Sequence, residues 1–197
     1  MHQAIDILMN EHSLILKVLA SLQSFVDAAG PDDRESVLHY ATFLRDFADK
    51  WHHGKEEDRL FVRMGEFGFP REFGPIAVML ADHVEGRAHT RALLEIGSGA
   101  GPLSDAELES VCDHAESYVQ LLRAHIAKED GILYPMALRA IPAAELDKLA
   151  DDYAAFEREA MSEADHARVL AQADRLIARF PPSTDVDQHP MCVGCAG

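Results

Sequence analysis

Basic residues are scarce in this chain. Eighteen lysines and arginines stand against 34 aspartates and glutamates, a formal net charge of −16 over 197 residues. Nucleic acid and anionic membrane surfaces both call for a basic face, so neither is expected as a partner. The same excess of carboxylate suits a protein that attracts cations. Cysteine is scarcer still, with three in the chain and two of them crowded at its end, which excludes a disulfide framework. Long apolar runs are missing as well, and none approaches the roughly 18 residues of a membrane span. The opening residues, "MHQAIDILMNEH", carry His and acids early and lack a basic segment followed by a long apolar one. They do not read as a signal peptide, and a cytoplasmic protein is the expectation. Strand-like alternation bounded by turns is absent too, which leaves an all-α chain.

Helical periodicity fills nearly the whole sequence. Ile5, Leu8, Met9, His12, Ile15, Leu16 and Leu19 form one stripe, ending near "AAGPDD". Asp33 is placed to cap a second helix, whose inward face carries Val37, Ala41, Leu44, Ala48, His52, Glu56 and Leu60. After the Gly/Pro turn "GEFGFPREFGP" a third helix turns Ile76, Met79, Leu80, His83, Thr90 and Leu94 inward. "GSGAGPLSD" ends it, and Ser104 with Glu107 resembles a capping box for a fourth. That helix directs Val111, Tyr118, Leu121, Leu122, His125, Glu129, Ile132, Leu133 and Met136 inward. Four long helices with short connections read as an up-down-up-down four-helix bundle over residues 1–140. Residues 141–180 form a C-terminal helical extension, near 143–156 and 162–179, packed outside the bundle or in a dimer interface. Residues 181–197 read as a flexible tail.

The stretch "WHHGKEEDRLF" offers two His/Glu pairs at helical spacing, His52 with Glu56 and His53 with Glu57. At about 100° per residue, His52 shares the face of Ala41, Leu44, Ala48 and Leu60, whereas His53 shares that of Asp46, Asp49, Lys50 and Glu57. On this reading His52 and Glu56 point inward and His53 and Glu57 point to water. "HIAKEDGILYP" repeats the arrangement with His125 and Glu129, while Asp130 is a competing carboxylate reachable from a loosened turn. His12 and His83 lie on the apolar stripes of the other two helices. His12 and His52 stand roughly 25 and 28 Å from the first turn at about 1.5 Å per residue, so they are level. Four buried imidazoles and two buried carboxylates would be costly without a shared purpose. The set is borderline N/O without thiolate, too large for one tetrahedral zinc, and suited to a pair of iron or manganese ions.

"NEHSLI", "HHGKEEDRLF", "LADHVEGR" and "HIAKEDGILYP" occur in this order over residues 1 to about 140. In this the chain resembles the hemerythrin-like family of HHE cation-binding proteins. The resemblance implies a four-helix bundle with a non-haem di-iron site bridged by Glu56 and Glu129 and held by His12, His52, His83 and His125. Iron stands ahead of manganese or zinc. Ferritin-like bundles are the rival, but their motif is Glu-x-x-His rather than His-x-x-x-Glu. Oxygen-carrying members of the family have a second histidine four residues after the third-helix ligand, where this chain has Arg87. One metal position would then stand open, which disfavours plain oxygen carriage and points to sensing, peroxide or nitric oxide chemistry, or iron–sulfur repair. His89, His114 and Tyr118 do not replace the missing ligand by position, although Tyr118 could line the pocket. Arg87 would contact a bound anion or pair with an acidic neighbour.

His189, Cys192 and Cys195 form H-x-x-C-x-x-C, a spacing that can grip a soft metal or cycle between dithiol and disulfide. Cys112 stands among core positions and reads as a buried thiol. The leading expectation is a di-iron protein that binds or reacts with dioxygen, hydrogen peroxide or nitric oxide, with catalysis left open. The alternative is an iron- or oxygen-responsive regulatory or metal-handling module acting through its C-terminal region. A homo-oligomer is compatible with either.

Overall fold

The structure, a computed structural model, describes residues 2–183, so the H-x-x-C-x-x-C triplet lies outside the described residues. Helix α1 is Gln3–Ala28. Helix α2 spans residues 34–66 and is not uniform: α-helical turns at Arg34–Phe43 and Phe61–Glu66 flank two π-type stretches, Leu44–His53 and Glu56–Leu60. Helix α3 is Pro75–Gly97, and α4 spans residues 105–140 with a π-type stretch at Glu129–Leu133. Two further helices, α5 (Ala143–Ala160) and α6 (Glu163–Arg179), complete the described residues, which contain no strand. No helix among them is long and apolar enough to cross a membrane.

The core shows why the helices run up and down. It consists of two apolar clusters, one built around Leu8, Leu60, Met79 and Leu133, the other around Ile15, Trp51, Leu93 and Leu122. On each of the four helices a residue of the first cluster and one of the second lie on either side of the histidines. Along α1 and α3 the order is first cluster, His, second cluster; along α2 and α4 it is reversed. The polar side chains therefore form one layer sandwiched between two dry ones.

Loops and caps hold this register. Ser104 and Glu107 form the expected capping box, with the Glu107 amide donating to Ser104 Oγ at 3.3 Å and the Ser104 amide to Glu107 Oε2 at 2.8 Å. Asp33 occupies the N-cap position of α2, but its carboxylate does not cap; it accepts instead from the Gly30 amide and from Arg179. Arg34 pins the α3–α4 loop through the carbonyls of Ile96, Gly101 and Pro102. Ile132, expected inward, is 56% exposed, because the π-type turn at Glu129–Leu133 shifts the register and Tyr134 is buried instead. Cys112 is half-buried rather than sealed in the core.

The two C-terminal helices lie outside the bundle, both against α1 and α2. Gly54 lets α5 approach, for a Cβ there would meet the Phe156 ring at 2.5 Å. Gly97 does the same between α3 and α2, where a Cβ would fall 2.7 Å from the Leu38 backbone. Backbone cannot yield as a side-chain tip can. Gly97→Ala is therefore expected to cost about 1–3 kcal/mol as an overpacked contact. At roughly 2–4 °C per kcal/mol for a chain of this size, thermal unfolding followed by circular dichroism should show the loss.

Candidate metal centre

The layer between the two apolar clusters gathers His12 from α1, His52, His53 and Glu56 from α2, His83 from α3, and His125 and Glu129 from α4, all buried. Their ligand atoms fall into two groups, each within 4.8 Å: His12, His52, Glu56 and Glu129 in one, His53, Glu56, His83 and His125 in the other. Glu56 belongs to both. Its Oε2 lies 3.8 Å from His52 Nε2 and 3.6 Å from His83 Nε2. Glu129 also spans the gap, with Oε2 3.3 Å from His12 Nε2 and Oε1 3.2 Å from His125 Nε2.

All six residues expected in the layer are there, but the expectation for His53 is overturned. It is only 3% exposed, and its ring stacks on His83 with centroids 3.8 Å apart. The physical reason is the π-type stretch Leu44–His53. Bonding from i to i+5 widens the turn and reduces the rotation per residue, so two consecutive side chains fit on one inward face. The stretch "WHH" followed by a glutamate three residues after the second His was the available signal. Glu57 does not face open water either. It accepts from His83 Nδ1 at 2.7 Å and from Arg87 at 2.6 Å.

With His53, α2 brings a fifth imidazole to the layer, while position 87 brings none. Arg87 itself turns aside to pair with Asp49 at 2.8 Å and with Glu57. Tyr118 sits in the larger apolar cluster rather than in the layer. His89 and His114 face each other, Nδ1 to Nδ1 at 3.0 Å, apart from the seven. Asp130 is outside both groups and accepts from His12 Nδ1 at 2.8 Å.

Asp130 is one of a set that sequence reasoning did not identify as such. Glu11 Oε2 accepts from His52 Nδ1 at 2.8 Å, and Asp82 Oδ2 from His125 Nδ1 at 3.0 Å. Each such carboxylate selects the tautomer with the proton on Nδ1 and the lone pair on Nε2, aimed inward. Tyr134, also missed, donates to Glu56 Oε1 at 2.6 Å. Burial and the charges of Glu56 and Glu129 push its hydroxyl well above the usual range, so it stays a donor.

The donor set fits a metal on its own chemistry. Buried ligand atoms normally find partners, yet His52 Nε2, His53 Nε2 and Glu56 Oε2 have none. His83 Nε2 and His125 Nε2 face each other at 3.0 Å while both Nδ1 atoms are committed to carboxylates. Two lone pairs so close would repel unless a proton or a metal cation is shared between them. Protonation agrees with ligand duty: burial and the neighbouring His83 drive His53 down to about 3, and burial also lowers His52 and His83. Burial and the charge of Glu129 raise Glu56. Burial opposes a charged Glu129 as well, but His125 and His12 outweigh it and keep it ionised. Burial likewise disfavours a charged His12, but hydrogen bonds to Asp130 and Glu129 raise it to about 9. His12 thus carries a proton that a metal would displace.

Fold and layer together define a helical bundle with a cation-binding centre. The sequence profile described as "Hemerythrin HHE cation binding domain" matches residues 3–137, and the chain belongs to this family. Among curated proteins it is similar to the uncharacterized protein Rv1995 of Mycobacterium tuberculosis and the uncharacterized protein Mb2018 of Mycobacterium bovis. Each is 21% identical over 166 residues, 83% of this chain. The chain spans 64% of the length of these relatives. No solved structure matches it significantly.

Beside the layer, Lys55 is fully buried and is paired with Glu11 and with Glu157 of α5. Glu11→Ala would leave that ammonium half-paired and strip acceptors from His52 and Trp51. A loss of about 3–5 kcal/mol is expected for breaking a buried pair this way. Lys55→Met should cost far less, since Glu11 keeps its other two donors and Glu157 is partly exposed. Urea unfolding of the two variants checks the order; equal losses would contradict it.

Proposed function

We propose that this chain is a non-haem di-iron protein that reacts with a small ligand of the dioxygen, hydrogen peroxide or nitric oxide class. The observation that carries the reading is the pair of four-donor groups sharing Glu56, with buried ligand atoms that have no partner in the protein. In this reading His12, His52, Glu56 and Glu129 would hold one metal and His53, Glu56, His83 and His125 the other. The thiolate-free set favours iron or manganese over a soft metal, and seven residues exceed what a tetrahedral zinc takes. The bound pair would supply one- or two-electron chemistry to the small ligand.

The chain's own residues then have definite tasks. Glu11, Glu57, Asp82 and Asp130 orient the imidazoles and raise their basicity. Tyr134 holds Glu56 through one oxygen, leaving the other for metal. The two apolar clusters exclude bulk water above and below the layer. With His53 counted no imidazole is missing, and the centre is compatible with oxygen carriage, sensing or turnover. A second reading, a regulatory module signalling through the C-terminal helices, is favoured by Lys55, which links Glu11 behind His52 to Glu157 on α5.

Metal content after anaerobic purification, followed by visible spectra on exposure to air and to peroxide, tests the reading. About two irons per chain and a new visible absorption on oxidation are expected. One zinc, or no metal, would contradict it. His53→Ala should lower iron from about two to about one per chain, whereas His89→Ala should leave it unchanged. Retention of two irons by the His53 variant would restore the outward placement of that side chain.

A further inference from the structure

The chain has a single tryptophan, Trp51, and it is wired to the layer. Its indole Nε1–H donates to Glu11 Oε1 at 2.9 Å, and the other oxygen of that carboxylate accepts from His52 Nδ1 at 2.8 Å. Two hydrogen bonds thus connect an oxidisable ring to an imidazole of the metal layer. On its far side the indole stacks on His166 of α6, with centroids 4.2 Å apart and planes 18° from parallel. Trp51 and His166 border a surface cavity of about 420 Å³, together with Glu157, Arg158 and Met161. Trp51 is 7% exposed, so it is shielded from most bulk water yet reaches the edge of the cavity.

The charges around the indole decide how it would be oxidised. Lys55 Nζ stands 4.9 Å from the ring centroid. A cation over the face opposes positive charge on the ring. Loss of an electron is eased by loss of the Nε1 proton, and Glu11 Oε1, which also accepts from Lys55, is already hydrogen-bonded to that proton.

We propose that Trp51 is the one-electron relay between the metal centre and the exterior. The inference rests on the redox reading given above. In each passage the indole gives one electron inward along Glu11 and His52 and hands its Nε1 proton to Glu11. A one-electron donor of the phenol class at the cavity then returns an electron to the ring, the proton moves back from Glu11, and the phenol releases its own proton to solvent. Two passages, with two protons from solvent, convert one hydrogen peroxide to two waters and two phenols to two phenoxyl radicals.

Trp51→Phe and Trp51→Tyr separate relay from packing. Both side chains are smaller than indole and nearly equal in size, but only tyrosine is readily oxidised. The full-length iron-loaded proteins, matched by measured iron, are mixed with peroxide alone and freeze-quenched for electron paramagnetic resonance. They are also assayed for guaiacol oxidation. The wild type should give an indolyl radical and, without guaiacol, an oxygen adduct on the Trp51 peptide by mass spectrometry. The Phe variant should lose the radical and at least tenfold of the guaiacol rate while the visible spectrum of its iron still responds to peroxide. The Tyr variant should regain a tyrosyl radical and part of that rate. Equal rates in Phe and Tyr variants, or no radical in the wild type, would overturn the relay and leave the di-iron reading standing. A second arm needs no peroxide: reduction of the ferric proteins by ascorbate should follow the order wild type, Tyr, Phe, and equal rates overturn the relay. A chain that takes up no iron would overturn the di-iron reading, and the relay with it.

Discussion

Four carboxylate–imidazole contacts run round the bundle in one direction and close on themselves. Glu11 of α1 accepts from His52 of α2, Glu57 of α2 from His83 of α3, Asp82 of α3 from His125 of α4, and Asp130 of α4 from His12 of α1. Each helix thus brings a ligand candidate to the centre and supports the candidate of the next helix. Hydrogen bonds to a charged group contribute about 1.5–3 kcal/mol each, and in this ring they also fix which nitrogen faces inward. The helices cannot slide or rotate independently without breaking a contact on either side. The two apolar clusters supply cohesion, but the ring supplies register. His53 is the one imidazole outside it, held more loosely 3.5 Å from Asp49.

The ring has a trace in the sequence, which explains what could and could not be read there. On α1 and α3 the acid immediately precedes the histidine, as Glu11-His12 and Asp82-His83. On α2 and α4 it immediately follows the inward glutamate, as Glu56-Glu57 and Glu129-Asp130. Of the six inward residues, His12, His83 and His125 followed from a 3.6-residue period because α1, α3 and α4 up to Lys128 keep it. His52, Glu56 and Glu129 lie in π-type stretches and face inward under either period. His53 did not follow, because it lies within a stretch of α2 that abandons the 3.6-residue period. Ile132 was misplaced for the same reason. The partners of the supporting acids were illegible because each bond crosses to a different helix, and a single sequence gives positions along a helix but not azimuth between helices.

The C-terminal helices were legible as helices but not as contributors to the centre. Their amphipathic faces are short, and nothing in their sequence shows that they would cover α1 and α2 rather than a second chain. In the folded protein α5 supplies Glu157 to buried Lys55, and Phe156 fills the space left by Gly54 between two π-type stretches. Helix α6 places His166 on Trp51. The extension therefore reaches the surroundings of His52 through the same carboxylate, Glu11, that opens the ring. A bundle of four helices would leave Lys55 and Trp51 at its surface; with six they are enclosed.

That seven residues form one two-metal centre is the central claim. Anomalous diffraction at the iron edge from crystals of the iron-loaded protein tests this most directly. Two peaks are predicted, both flanked by Glu56, with the His53 imidazole turned toward the one that His83 and His125 also face. A single peak, or two peaks with His53 turned away into solvent, would contradict it.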